Sequence, residues 1–190
     1  MKKLNSLVLL NSVVVISTTI CLAHYPFLDD MKELYQYDTW AGVTKTDYLH
    51  LVKNWAPDIL SYGATNLLAN PYISSDQNMR ESIYFFQPTN MTSNIDLRIL
   101  ETAGVLDAHE MLMKHFHYCS AIQPFPTGVS IGINIGDHCY TGYPIGSTNS
   151  ISFVRNNMFV NISSGNPPEP VFEIANKIDQ QLLTISLTPE

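Results

Sequence analysis

The sequence predicts an α+β fold, a single domain built as an antiparallel sheet with helices packed on one face. Three observations carry this. Apolar residues alternate at period two in "NIDLRILE" and "SISFVRNNMFVNIS", the signature of strands with one buried face, and "ESIYFFQ" is a short β-branched and aromatic run that also reads as a strand. They recur at helical spacing in "GVLDAHEMLMKHFHYC" and "VFEIANKIDQQLLTI". The order strand pair, helix, strand, hairpin, helix then gives a sheet whose apolar face is covered by helices.

The chain opens with Lys2 and Lys3, a mostly apolar run over 7–20, and Cys21-Leu22-Ala23, a small-residue cleavage site. That is the pattern of a secretory signal peptide, with short flanks of bacterial type. Residues 1–23 are expected to be the leader and 24–190 a single exported α+β domain, periplasmic or secreted. Asn11, Ser12 and the Ser/Thr run at 17–19 make the leader too polar to stay as an anchor. No later stretch reaches the ~20 apolar residues a bilayer requires, so no membrane span is expected after cleavage. Ten lysines and arginines face 17 acids, net −7, and the leader removes two of the cations. Binding to nucleic acid needs clustered cations and is excluded as an expectation.

From residue 46, "TDYLHLVKNW" places Tyr48, Leu51, Val52 and Trp55 at helical spacing, with Pro57 just beyond, and predicts a helix. Strands are expected over 81–87 and 94–101, joined by the loop "PTNMTS". The helix from Gly104 gathers Val105, Ala108, Leu112, Phe116 and Cys119 in one quadrant, with Glu110 and Lys114 opposite. "VSIGINIG" alternates Ile131, Ile133 and Ile135 and reads as a further strand. In "SISFVRNNMFVNIS", Asn156-Asn157 suits a type I′ turn, and that register sets Phe153 against Val160 and Ile151 against Ile162. The last helix lines up Val171, Ile174, Ala175, Ile178 and Leu182.

The closing stretch, "IGDHCY" followed by "ISFVRNNMFVNIS" and a helix with "IANKID", resembles the C-terminal part of uncharacterised exported bacterial α+β proteins. The resemblance covers roughly the last sixty residues. It implies export and the fold class, and it brings no activity and no site.

Cys119 and Cys139 are the two cysteines left after leader removal, and in an oxidising compartment such a pair is expected to form a disulfide. The helix "DAHEMLMKHFHYC" is rich in histidine, yet H-E-x-x-H fails because Met113 stands where the second histidine belongs. His109 and His117 lie about two turns apart on the helix and cannot share an ion. Candidate metal ligands are His109, His115, His117 and His138, together with His24, which becomes the N-terminal residue on cleavage and offers its amine and imidazole to copper with His50 or His138. "GVSIG" matches G-x-S-x-G without the helix that must follow the serine, so Ser130 is expected to be an exposed strand residue. In "GDHCY", His138 and Cys139 should point to opposite faces, with Asp137 steadying its own turn. Asn90-Met91-Thr92 and Asn161-Ile162-Ser163 fit the glycosylation pattern, which carries no weight in a bacterial exported protein. Tyr35, Tyr37, Trp40 and Trp55 are candidate contact residues in the aromatic N-terminal third. No catalytic residue and no cofactor is assigned. The expectation is an exported, non-catalytic binding or assembly domain for an unknown protein or small molecule. The alternative is a metal-dependent enzyme or a copper- or zinc-binding protein using His109, His115, His117 and His138.

Overall fold

A computed structural model describes residues 28–40, 48–68, 71–75, 78–118, 125, 127–142 and 147–188. Residues 1–23, the expected leader, together with His24 and Cys119, lie outside them. The centre is one antiparallel sheet of β1 (Ala64–Leu67), β2 (Tyr72–Ser75), β3 (Met79–Pro88), β4 (Ile95–Thr102), β5 (His138–Thr141), β6 (Ser150–Arg155) and β7 (Met158–Ser164). The spatial order is β1-β3-β4-β7-β6-β5, with β2 following β1 along the same outer edge of β3. The helices are α1 (Leu28–Leu34), α2 (Val105–Tyr118) and α3 (Phe172–Leu187). The α+β class and the single antiparallel sheet agree with the sequence. The hairpin register does too, Phe153 pairing with Val160 and Ile151 with Ile162.

The placement of the helices differs from the one-face expectation, because the two long helices lie on opposite faces. Ile95, Leu97, Ile99, Ile151, Phe153, Val160 and Ile162 point one way and pack with Ile174, Ala175, Ile178 and Leu182 of α3. Leu100, Val154 and Phe159 point the other way and pack with Ala108, Leu112, Met113 and Phe116 of α2, over which α1 lies through Met31. The reason is local to the hairpin: Phe153-Val154 and Met158-Phe159-Val160 are consecutive apolar residues, so period-two geometry sends greasy side chains to both faces. Each fully buried Phe or Leu is worth ~1.5–3 kcal/mol, enough to demand a cover on both sides.

Two predicted elements are absent. Residues 48–58 are not helical; they cross the hairpin tip as an irregular, bent segment, and several of their backbone groups are taken by side chains. Asn157 accepts from Val52 N–H (2.8 Å) and donates to Val52 O (2.9 Å), Asn156 donates to His50 O (2.8 Å), and Arg80 donates to Trp55 O (2.9 Å). Backbone groups held outward in this way are not free to close i to i−4 bonds. The expected strand over 129–136 is instead a 3₁₀ turn, Val129–Ile131, followed by an irregular run that still buries Ile133 and Ile135. Gly128 is required there, since a Cβ would lie 2.8 Å from Ile133 O and 3.0 Å from Cys139 Sγ. Ser130 is exposed as expected, and its Oγ donates to Thr127 O at 2.7 Å.

The hairpin tip is buried rather than solvated. Asn156 and Asn157 are 0% and 1% exposed. Of the two, only Asn156 has a positive φ, 55°, so the turn is not type I′. Beside the tip, Arg155 makes a two-pronged ion pair with Asp179 of α3 (2.7 and 2.9 Å) and donates to Asp137 (3.0 Å). Asp137 also accepts from Tyr48 and from the Asn156 N–H, so it steadies the hairpin tip rather than its own turn. No helix among the described residues is long and apolar enough to cross a membrane.

Candidate functional site

The end of α2 and strands β5, β6 and β7 enclose a recess of about 200 Å³. Its polar wall begins with a cross-strand pair: Ser152 on β6 sits directly opposite Asn161 on β7, on the face that α2 covers. Asn161 Nδ2 donates to Ser152 Oγ at 2.8 Å, and His115 Nε2 lies 3.2 Å from the same oxygen. The aromatic wall is Phe116, Phe125 and Tyr140. Phe116 meets Phe125 at 5.2 Å and stands edge-on to Tyr140 at 4.9 Å between ring centroids. Thr141, Gly142 and Ser150 form the rim, and among the described residues no Asp, Glu, Lys or Arg lines the space. Burial, with the nearby Arg98 charge, pushes the His115 imidazole down to about 4, so it is neutral at pH 7. The recess therefore offers an uncharged, partly apolar surface with a short hydrogen-bonded chain along one side.

Ser152 and His115 have the composition of a nucleophile and its base. Three features argue against acyl transfer. Ser152 lies in a regular strand and is buried, its Oγ already takes the Asn161 amide, and an imidazole near 4 is a weak base.

A second feature lies nearby in the layer between α2 and the sheet. His109 is 0% exposed and neither of its ring nitrogens has a hydrogen-bond partner; the buried Nε2 of His138 has none either. Their ring centroids are 5.5 Å apart with planes at 89°. Trp40 stacks on His138 at 4.4 Å and stands edge-on to His109 at 5.7 Å. Burial pushes both imidazoles down to about 4; for His138 the proximity of His109 adds to it and Asp137 opposes it. A buried polar atom left without a partner costs ~1–3 kcal/mol, so the arrangement calls for an occupant.

An open groove of about 370 Å³ passes Arg80, Glu101 and Asn157. Two of its polar side chains are committed to the fold, Arg80 to Trp55 O and Glu101, and Asn157 to Val52 and Thr102.

Of the sequence candidates, His109 and His138 are brought together, while His115 belongs to the recess. His24 and the side chain of His117 lie outside the described residues. Among those residues, no three His, Cys, Asp or Glu side chains converge as a metal cluster. Tyr35, Tyr37 and Trp40 are core residues rather than exposed contacts: Tyr35 stacks on Phe116 at 4.5 Å, and Trp40 donates to Tyr35 O at 3.1 Å. Trp55 is half-buried against the α3 side of the core. Cys139 is buried with a free thiol, pushed up to about 12 by burial, and faces the α3 side while His138 faces α2. Its expected partner Cys119 lies outside the described residues. Sequence reasoning missed Ser152, Asn161 and Tyr140. The available signal was two polar residues interrupting otherwise apolar strands at opposed positions.

No protein-family model, curated protein or solved structure matches the chain.

Proposed function

We propose that the chain is an exported, non-catalytic binding domain whose recess beside His115 takes a small, uncharged ring compound. The observation that carries this is the pairing of an aromatic wall, Phe116, Phe125 and Tyr140, with the His115–Ser152–Asn161 chain in a space without charged lining. Flat apolar area supplies binding energy, and a few fixed polar groups supply orientation. A charged ligand would lose its hydration without gaining an ion pair. Export rests on the leader over 1–23, whose lysines, apolar run and Ala23 have the order a signal peptidase requires.

The test is binding of phenol, indole and nicotinamide, followed by amide shifts in the ¹⁵N-labelled processed protein. Shifts should gather at Gly142, Ser152 and Asn161, and Asn161→Leu should weaken binding at least tenfold. Absence of shifts there, or identical shifts in the variant, contradicts the proposal. Labelling of Ser152 by a fluorophosphonate would make the domain a hydrolase instead.

A further inference from the structure

We propose that His109 and His138 together hold one monovalent soft-metal ion, copper(I) or silver(I), in the layer between α2 and β5. The proposal does not depend on the recess, which uses different residues. Its starting point is geometric. His109 comes from the first half of α2 and His138 from the first position of β5, and the sheet brings their rings to 5.5 Å between centroids. With metal–nitrogen bonds of about 2 Å and imidazole rings about 1 Å in radius, two rings on one ion have centroids roughly 5–6 Å apart. The buried nitrogens that lack partners, both on His109 and Nε2 on His138, are lone-pair donors or N–H groups with nothing else to meet.

The charge of the ion follows from the surroundings. Asp137 is next to His138 in sequence, yet its carboxylate is taken by Arg155, Tyr48 and the Asn156 N–H. Cys139 points to the opposite side of the sheet. The pair thus presents neutral ligands in a dry place, where a divalent ion would lose its water without an anion to replace it. Zinc also wants four ligands, and no such cluster of His, Cys, Asp or Glu exists among the described residues. A monovalent d¹⁰ ion accepts two or three soft neutral donors. Met113 is available as the third by position. It lies four residues after His109 on the same helix face, fully buried in the same aromatic layer. Trp40, 2% exposed and within 6 Å of both imidazoles, shuts out the water and oxygen that would oxidise copper(I).

The processed protein is titrated without oxygen, with copper(I) in competition with bicinchoninate and separately with silver(I). The expected result is one ion per chain, at least tenfold weaker in His109→Gln and His138→Gln. Tryptophan emission should be quenched in Trp55→Phe protein, where Trp40 is the one remaining indole. In wild-type protein the imidazole ¹⁵N resonances of His109 and His138 should move on adding silver(I), a readout that needs no variant to fold. Failure to retain an ion, binding that leaves those two imidazoles unmoved, or equal uptake of zinc(II) would overturn the proposal.

Discussion

Val52 and Asn157 exchange two hydrogen bonds as if the Asn157 side chain were a strand. Val52 N–H donates to Oδ1 at 2.8 Å, and Nδ2 donates to Val52 O at 2.9 Å. The same amide also donates to Thr102 O at 2.8 Å. One side chain thus fastens the crossing segment and the end of β4 to the hairpin tip. Asn157→Ala leaves three backbone groups without their partner, at about 1–3 kcal/mol for each that is buried. A loss of about 3 kcal/mol or more is expected in urea unfolding. Asn90→Ala, in the exposed β3–β4 loop, should change stability by less than about 0.5 kcal/mol.

Burial, not distance, ranks Arg98–Glu81 against Arg155–Asp179. Arg98–Glu81 is the shorter at 2.6 Å, but Arg98 is 43% exposed, and Glu81→Gln should cost under about 1 kcal/mol. Asp179 is 1% exposed and holds both prongs of Arg155. Asp179→Leu strands a buried guanidinium and should cost about 3–5 kcal/mol. Comparable losses in the two variants would contradict this ordering.

Local patterns made most of the fold legible. Alternation located β4 and the hairpin, the aromatic run of 81–87 located β3, and the stripe Ile174, Ala175, Ile178, Leu182 located α3. What escaped was decided at a distance. The helical spacing in 46–55 is real, but Asn156, Asn157 and Arg80, remote in sequence, claim the backbone that a helix would need. The isoleucines of 131–135 alternate, yet Gly128 lets the chain turn back on Ile133, as its N–H shows by donating to Gly128 O. The histidines were visible as a cluster along α2, while the pairing that matters, His109 with His138, required the sheet. Ser152 and Asn161 were unremarkable until the register set them face to face.

Stability should fall on acidification through the histidines. His109 has a folded pKa of about 4 against an ordinary 6.5, so the unfolded chain binds its proton first. The contribution is complete above pH 6.5 and is lost as the pH drops from there towards 4, by up to about 3 kcal/mol. His115 and His138 act in the same direction. Urea midpoints between pH 8 and 4.5 should decline below 6.5, and less steeply in His109→Phe. An unchanged midpoint over that range would show that these rings are not buried neutral.

Cys139 should resist iodoacetamide at pH 8 in the folded protein, because its thiol is buried and pushed up to about 12. In urea without reductant it should react fully. Rapid labelling of folded protein would contradict the burial. A bridged 119–139 peptide recovered from urea would establish the disulfide expected from the cysteine count.

Both proposed sites depend on imidazoles that remain uncharged inside the layer between α2 and the sheet. The most direct measurement is a residue-resolved NMR titration of the histidine rings from pH 8 to 4. His109, His115 and His138 should keep the shifts of neutral imidazole down to about pH 5 and protonate near 4. Titration of these three rings near 6.5 would place them in water and contradict the account.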